Sequence, residues 1–327
     1  MKIPVGIVGV SGFGGGEALR LITAHPQFQL TYVAGESSAG QRLGQLFPGV
    51  ATSLKDLTVS KWDPRALPND LQLLFASLPT GASREPLAQV ASRVKIVDIG
   101  GDHRYVDGWT YGLADVWPDE MRGKTRIANP GCYPAATLIA LAPLLAGKLI
   151  EPHGIIVDAK TGVSGAGRGG ASDAAFSYAT VNEDLAAYGL LKHTHMPEMT
   201  ATISKMSGTK AEGLVFTPHL CPMTRGILST IYARGTATTE QCFEAARAFY
   251  ANSPFVRVTE KPPHTKWASG SNLAFVSYGA DPTRTLVIAL GVVDNLGKGA
   301  AGQAIQNANL ICDLPADAGL NGMPVWP

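Results

Sequence analysis

Residues 3–17 read IPVGIVGVSGFGGGE, and this segment is the strongest indication of the fold in the sequence. Residues 3–10 are apolar and rich in β-branched side chains, which favours a strand buried in a parallel sheet. A glycine-rich turn follows, and residues 17–22 then have helical spacing. A strand, a glycine-rich turn and a helix in this order are typical of the first unit of a dinucleotide-binding domain.

The glycines of this turn have an unusual spacing. Gly9, Gly12 and Gly15 read G-x-x-G-x-x-G, a variant of the G-x-G-x-x-G fingerprint. Without Cβ atoms the backbone can approach a pyrophosphate, and the N–H groups at the start of a helix point at its charge. The sequence therefore predicts a nucleotide loop, with a tight turn that binds no ligand as the alternative.

The rest of the first half continues the same pattern. Further strands are predicted at residues 30–34, 71–77 and 94–99, with a crossover helix at 84–92 and a closing helix at 134–147. Strands that alternate with helices indicate a parallel, doubly wound sheet.

The second half has longer strands, and several of them alternate in polarity, as in an antiparallel sheet covered on one face. They are predicted at residues 154–160, 211–219, 226–234, 273–278 and 285–293, with an amphipathic helix at 239–250 that Thr238 or Thr239 caps. The fold class is therefore α/β, with a Rossmann-like doubly wound parallel sheet and an α+β domain whose sheet is largely antiparallel.

The domain boundaries follow from this change of character. The first domain is predicted at residues 1–131 and is completed by a small-residue helix from about 299 to 327. The second domain is predicted at residues 132–298. A chain of 327 residues has the length of about two domains.

Composition excludes several classes of protein. Lys plus Arg is 27 and Asp plus Glu is 26, so the near-zero net charge argues against a nucleic-acid or membrane-surface partner. Charged residues make up 16%, whereas about 25% is typical, so we expect a large subunit interface.

The longest apolar run, residues 135–147, contains Pro143 and is too short to span a bilayer. With no signal-peptide pattern, the chain is expected to be cytoplasmic.

Cys132 lies in the segment Asn129-Pro130-Gly131-Cys132-Tyr133-Pro134, directly before a helical run. The start of a helix stabilises a thiolate, which makes Cys132 a candidate nucleophile. The alternative is a small buried apolar residue. That alternative is preferred for the other three cysteines, Cys221, Cys242 and Cys312, and the absence of a C-x-x-C pair argues against a disulfide scaffold and a thiolate zinc site.

Residues 193–198 read HTHMPE and place two imidazoles beside a carboxylate. Either His193 or His195 can accept the thiol proton and later protonate an oxyanion, and Glu198 can fix a tautomer. The H-x-H spacing also occurs in zinc sites, but no third ligand is evident and no metal is expected.

The cofactor type is undecided from spacing. After the second strand, Glu36 favours the ribose 2′-hydroxyl of NAD, whereas Ser37 and Ser38 favour the 2′-phosphate of NADP.

With these motifs in place, the chain resembles the N-acetyl-γ-glutamyl-phosphate reductase family of the aspartate-semialdehyde dehydrogenase superfamily. The resemblance runs almost from end to end. It is carried by the segments 9–17 (GVSGFGGGE), 25–26 (HP), 77–79 (SLP), 102–104 (DHR), 111–113 (YGL), 129–134 (NPGCYP), 161–168 (TGVSGAGR), 193–198 (HTHMPE), 217–226 (TPHLCPMTRG) and 294–299 (DNLGKG).

The resemblance implies that Cys132 is the nucleophile, that His195 or His193 transfers protons with support from Glu198, and that NADPH is the reductant in arginine biosynthesis. It also implies a mixed sheet in the second domain. A cytoplasmic homo-oligomer, a dimer or tetramer, is implied as well, in which residues 132–298 catalyse and dimerise. Cofactor contacts are implied for Gly9, Ser11, Gly12, Phe13, Gly14, Gly15, Ser37, Ser38, Ser77, Leu78, Pro79, Ser164, Gly165, Asn295 and Lys298. A substrate contact is implied for Asn129. For the substrate anions Arg104 is the first candidate and Arg168 and Arg225 are weaker ones, because arginine binds carboxylate and phosphate groups with two hydrogen bonds. The alternative for each of the three arginines is a structural ion pair.

The chain departs from the family at three places. It has Thr80 where the family has histidine, and Thr194 where the family has arginine. It also reads Gly100-Gly101-Asp102-His103-Arg104 where the family reads Ser-Ala-Asp-Phe-Arg. These changes concern details of cofactor and substrate contact.

Three other functions remain as alternatives. A related enzyme would reduce an aspartyl or a carrier-bound aminoadipyl phosphate. A thiol hydrolase would use Cys132 and His195 without a nucleotide. A non-catalytic sensor would bind the dinucleotide without turnover.

Overall fold

The computed structural model describes residues 2–170 and 174–325. The chain forms two compact units. Unit 1 comprises Met1–Pro130, Gly167–Gly169 and Ala300–Gly322, and unit 2 comprises Gly131–Ala166, Gly170–Gly299 and Met323–Pro327. The predicted roles of the two domains, cofactor binding in one and catalysis with dimerisation in the other, stay predictions.

The seven-stranded sheet of unit 1 is parallel throughout its described ladders, which confirms the predicted doubly wound sheet. Its spatial order is β3-β2-β1-β4-β5-β7-β6. The strands are β1 (Ile3–Val8), β2 (Phe28–Gly35), β3 (Ser60–Lys61), β4 (Leu73–Ala76), β5 (Lys95–Asp98), β6 (Thr110–Tyr111) and β7 (Arg126–Ala128).

The sheet of unit 2 is mixed and largely antiparallel, which confirms the predicted class. Its order is β12-β13-β14-β11-β8-β10-β9, and the β8–β10 and β12–β13 pairs are parallel. The strands are β8 (Ile156–Gly162), β9 (Ala186–Ala187), β10 (Val215–Cys221), β11 (Ile227–Arg234), β12 (Val256–Val258), β13 (Ala274–Asp281) and β14 (Leu286–Val293).

The helices differ in places from the predicted ones. The helix predicted at 84–92 ends four residues early, at Ala88. The helix predicted from residue 134 begins two residues earlier, at Cys132, because Gly131 rather than Tyr133 has the extended backbone of an N-cap. The α-helices are α1 (Phe13–Thr23), α2 (Leu43–Leu46), α3 (Arg84–Ala88), α4 (Pro118–Met121), α5 (Cys132–Ala146), α6 (Gly167–Gly170), α7 (Tyr178–Val181), α8 (His195–Ser207), α9 (Thr239–Phe249) and α10 (Gly302–Ile311).

The helix predicted from about 299 to 327 is shorter, because α10 ends at Ile311, where Asp313 has φ +56° and Pro315 follows. Helix α10 is buried on all sides, and its amide side chains form hydrogen bonds with other parts of unit 1. Asn309 Oδ1 contacts His25 Nε2 at 3.0 Å, and Asn309 Nδ2 donates to the carbonyl oxygens of Ala316 and Ala318. These bonds hold the segment after α10 against the end of α1. Within the described ranges, each helix is too short or too polar to cross a membrane.

Candidate active site

The nucleotide loop of unit 1 follows β1, the strand flanked by β2 and β4. This is the position where the strand order reverses, which is where doubly wound sheets bind ligands. Gly9 has φ +79°, and a Cβ at this residue would lie 2.1 Å from Ser77 O. Any larger residue would therefore push β1 and the end of β4 apart, so the loop requires glycine here.

Helix α1 starts at this loop with features of an anion site. Gly12 is its N-cap, and no side chain caps the first N–H groups. Ser77 N donates to Val8 O at 2.9 Å, which places the predicted contact segment Ser77-Leu78-Pro79 beside the loop. Bare backbone and an uncapped helix start fit a pyrophosphate.

The residues after β2 divide into exposed and buried ones. Glu36 and Ser37 are exposed, whereas Ser38 is buried, with 2% of its surface accessible. Within the described part of the chain, the Ser38 hydroxyl has no hydrogen-bond partner. A buried hydroxyl of this kind suits a polar ligand group, because an unsatisfied buried hydroxyl is costly.

In unit 2, Cys132 is the first residue of α5, and its N-cap is Gly131. The Gly131 N–H donates to Glu198 Oε1 at 2.8 Å, and Glu198 is buried. Gly299 lies on the other side of the cysteine, where an added Cβ would come within 2.9 Å of Cys132 Cβ. The carboxylate and the glycine together fix the main chain that carries the thiol.

The rings of both histidines pack edge to face against the ring of Tyr133, the residue after Cys132. The ring centroids of His193 and His195 are 5.8 and 6.1 Å from that of Tyr133. The His195 N–H donates to His193 Nδ1 at 3.1 Å, just where α8 begins. Burial lowers the pKa of His193, so the ring that accepts this bond is kept neutral.

Sequence reasoning missed Tyr188 in this cluster. Its hydroxyl is 3.0 Å from that of Tyr133, and its ring is 5.7 Å from the His193 ring. Burial raises the pKa of Tyr188 to about 12 and that of Tyr133 above its usual range, so both hydroxyls are protonated at neutral pH. No local pattern marked Tyr188, because it lies beside the two-residue strand β9 and only tertiary packing brings it here.

The remaining predicted residues of unit 2 form a polar core. Asn295 Oδ1 accepts from Gly226 N at 2.8 Å, and Asn295 Nδ2 donates to Ser164 Oγ at 2.9 Å. Arg225 pairs with the buried Asp294 at 3.2 Å. Lys298 is completely buried, with Nζ 4.5 Å from the centroid of the Phe255 ring. These partners give Asn295, Arg225 and Lys298 structural contacts, and their predicted ligand contacts stay predictions.

The predicted substrate residues of unit 1 lie at two places. Arg104 Nε donates to Asn129 O at 3.0 Å, at the end of β7. Arg168 donates to Ser11 O at 3.0 Å, which puts it on the nucleotide loop. Among the described residues, no group of three or more His, Cys, Asp or Glu side chains is arranged to hold a metal ion.

Two family models match the chain. The semialdehyde dehydrogenase NAD binding domain matches residues 4–124, and the semialdehyde dehydrogenase dimerisation domain matches residues 132–295. A protein of Bradyrhizobium sp. (strain ORS 278) with the name N-acetyl-gamma-glutamyl-phosphate reductase is 71% identical over 327 residues, which is 100% of both chains.

Two solved structures share the fold. Aspartate semialdehyde dehydrogenase II from Vibrio cholerae, complexed with ASA, has a TM-score of 0.76 at 18% identity and covers 96% of this chain and 99% of its own. Aspartate semialdehyde dehydrogenase with NADP from Candida albicans has a TM-score of 0.70 at 16% identity, with coverage of 95% and 98%.

Proposed function

This chain belongs to the semialdehyde dehydrogenase family, and from that premise we propose that it reduces N-acetyl-γ-glutamyl phosphate to N-acetyl-L-glutamate 5-semialdehyde, with release of phosphate. The substrate is proposed from full-length identity of 71% to a relative with that name. The observation that carries the chemistry is Cys132 at the start of α5, with Glu198 and the two histidines in the same unit. The reaction belongs to arginine biosynthesis, and we place it in the cytoplasm.

The first step is attack of the Cys132 thiolate on the acyl carbon. A C–S bond forms, the C–O bond to phosphate breaks, and a thioester remains on the enzyme. The helix start stabilises both the thiolate and the developing oxyanion. Gly131 N is already bonded to Glu198, and Pro134 has no N–H, so we propose the N–H of Tyr133 as a donor to the oxyanion.

The second step reduces the thioester. NADPH, when bound, supplies the hydride. The resulting hemithioacetal collapses to the aldehyde, and the C–S bond breaks to return the Cys132 thiolate. A side chain must therefore take the thiol proton in the first step, protonate the oxyanion in the second, and take that proton back as the C–S bond breaks.

The geometry favours His195 over His193 for these proton transfers. His193 Nδ1 is engaged by the His195 N–H, and protonation at that atom would break the bond that holds the start of α8. His193 is therefore proposed to position His195, which acts as the acid and base.

The cofactor is proposed to be NADPH. The nucleotide loop offers bare backbone to the pyrophosphate, and exposed Ser37 and buried Ser38 offer hydroxyls to a 2′-phosphate, while Glu36 is exposed and can turn to solvent. The Candida albicans relative of the same fold was solved with NADP.

We expect kcat/KM for NADPH to exceed that for NADH by about tenfold or more, which is about 1.4 kcal/mol of discrimination. Replacing Ser38 by alanine should reduce this ratio, because a 2′-phosphate loses a donor, and should leave kcat/KM for NADH nearly unchanged. The measurement is initial rate against cofactor concentration for both variants. A higher value for NADH in the wild type would reverse the cofactor assignment.

We propose that the enzyme is a homo-oligomer built on the outer face of the unit 2 sheet. Helix α5 packs on β11 and β14 on one face. On the other face, burial alternates along four adjacent strands, and apolar side chains remain partly exposed there: Ile156, Val215, Leu228, Tyr232, Ile288 and Leu290. An apolar sheet face of this kind is expected to be buried against another protein surface. The match of residues 132–295 to a dimerisation domain favours a second copy of the chain as the cover.

Ile156→Asp is expected to dissociate this oligomer. Ile156 is 44% exposed on the sheet face, and a new carboxylate there would be buried without a partner. The matched control is Met323→Asp, because Met323 is 87% exposed and lies outside the sheet. Light scattering coupled to gel filtration should give a lower mass for Ile156→Asp alone. An unchanged mass for both variants would place the interface elsewhere.

The direct test of the function is NADPH oxidation with N-acetylglutamyl phosphate, or the phosphate-dependent reverse reaction. Aspartyl and carrier-bound aminoadipyl phosphates serve as competing substrates. Faster turnover of one of these would change the substrate, and thiol-dependent hydrolysis without NADPH oxidation would indicate a hydrolase.

A further inference from the structure

His103 is a buried histidine that the proposed reaction does not use. Its side chain is 4% exposed, and its ring stacks on Trp109 with centroids 3.8 Å apart. His103 Nδ1 lies 2.7 Å from Asp98 Oδ2. With so little exposed surface the imidazole cannot exchange protons directly with a substrate, so it acts through its neighbours.

Asp98 is the last residue of β5 and is completely buried. Its Oδ1 accepts from Gly100 N at 3.0 Å, and the Ser83 hydroxyl, which has a single proton, lies 3.1 Å from its Oδ2 and 2.9 Å from Asp102 Oδ2. A buried carboxylate is tolerated only when its lone pairs are filled by donors. His103 therefore supplies one of the donors on which the local backbone depends.

The loop after β5 is also tied to the loop after β4. Asp102 accepts from Gly81 N at 2.7 Å and from Ser83 N at 2.9 Å. Burial pushes the pKa of Asp102 upward, but these hydrogen bonds outweigh it and the pKa is lowered, so Asp102 is ionised. Both loops lie at the carboxyl end of the parallel sheet, where such folds bind ligands.

Arg104 follows His103 and contacts a third strand end. Its Nε donates to Asn129 O at 3.0 Å, and Asn129 N donates to Asp98 O at 2.8 Å. The Asn129 side chain is in turn held by Asn307 Nδ2 at 3.0 Å. The two adjacent residues thus differ in their contacts. His103 packs inside unit 1, whereas Arg104 is held at the carboxyl end of the sheet.

We infer that His103 is a positioning residue for substrate binding: its bond to Asp98 and its stack on Trp109 fix the backbone that holds Arg104 against Asn129. The inference rests on the proposed function, in which Arg104 binds an anionic group of the acyl phosphate. A small displacement of Arg104 would strongly weaken the binding and the orientation of the substrate.

His103→Phe and His103→Asn separate the two contacts. Phenylalanine keeps the ring stack and removes the donor to Asp98, whereas asparagine keeps a donor and removes the stack. We expect His103→Phe to raise KM for N-acetylglutamyl phosphate about tenfold, with kcat and KM for NADPH changed less than about threefold. His103→Asn should have a smaller effect, and thermal unfolding of each variant reports whether it folds.

A double-variant cycle with Arg104→Ala tests whether His103 acts through the arginine. If it does, His103→Phe has little further effect on KM in the Arg104→Ala background. An equal tenfold increase in both backgrounds, or no increase in either, would overturn the inference. Should His103→Phe fail to fold, the same cycle is run with His103→Asn, whose smaller increase in KM must likewise vanish in the Arg104→Ala background.

Restoring a hydrogen-bond donor to Asp98 in the His103→Phe variant provides a second test. A Cβ at Gly100 would lie 3.0 Å from Asp98 Oδ1 and 3.2 Å from Leu78 O, so a serine there requires a shift of a few tenths of an ångström and then brings a hydroxyl within reach of the same carboxylate. Gly100→Ser combined with His103→Phe should therefore restore KM to within about threefold of the wild type. A KM that stays tenfold high would show that the donor to Asp98 is not what positions Arg104. Wild-type inactivity with this substrate would contradict the proposed function instead.

Discussion

Cys132→Ala is expected to lower kcat/KM at least about 10⁴-fold, because the reaction loses the nucleophile that forms the thioester. The substitution removes one sulfur from the start of α5 and leaves the Gly131–Glu198 bond and the nucleotide loop in place. Thermal unfolding and NADPH binding should therefore stay near wild-type values. Single-turnover experiments with the acyl phosphate should show no phosphate burst.

Cys312→Ala is the matched control for this variant. Cys312 is also half-buried, but it follows α10 in unit 1, and burial raises the pKa of its thiol. Its replacement should leave kcat/KM within about threefold of the wild type. Activity of Cys132→Ala within tenfold of the wild type would remove this thiol from the mechanism.

His195→Ala is expected to lower kcat/KM by about 10² to 10⁴-fold, the range that general acid–base catalysis contributes. His193→Ala should cost about tenfold, since the neutral His193 ring positions the start of α8 and transfers no proton. The pH dependence of kcat/KM separates the two roles. His195→Ala should remove an ionisation from the profile, whereas His193→Ala should keep the shape of the profile and lower its height.

A larger loss for His193→Ala than for His195→Ala would exchange the two assignments. His193→Gln gives a further check, because a glutamine carbonyl can accept the His195 N–H in place of Nδ1. It should recover part of the activity lost in His193→Ala. No recovery would indicate that the imidazole itself is needed.

The features that sequence alone predicted are those encoded by consecutive residues. The glycines after β1 and the Asn-Pro-Gly-Cys segment before α5 each specify a turn and a helix start within a few positions, so local sterics determine them. The capping box of α9, in which Thr238 and Gln241 exchange hydrogen bonds, was predictable for the same reason. The alternation along the long strands predicted that the sheet of unit 2 is largely antiparallel.

The elements that were missed carry little periodic signal. Strands β3, β6 and β9 have two residues each, which is too short for a pattern. Helix α8 contains Pro197 and several Thr and Ser residues of modest helix propensity, and packing against α5 stabilises it instead.

The order of the residues was enough to predict a nucleotide loop, a cysteine at the start of a helix and two candidate histidines. The partners of these groups became evident from the folded chain. Glu198 binds the N–H of Gly131, 67 positions earlier in the chain, Tyr188 reaches Tyr133, and Lys298 lies over the Phe255 ring instead of at the surface. The physical reason is that periodicity and turn chemistry act over a few residues, whereas the partner of a buried polar group is selected by the packing of the whole unit.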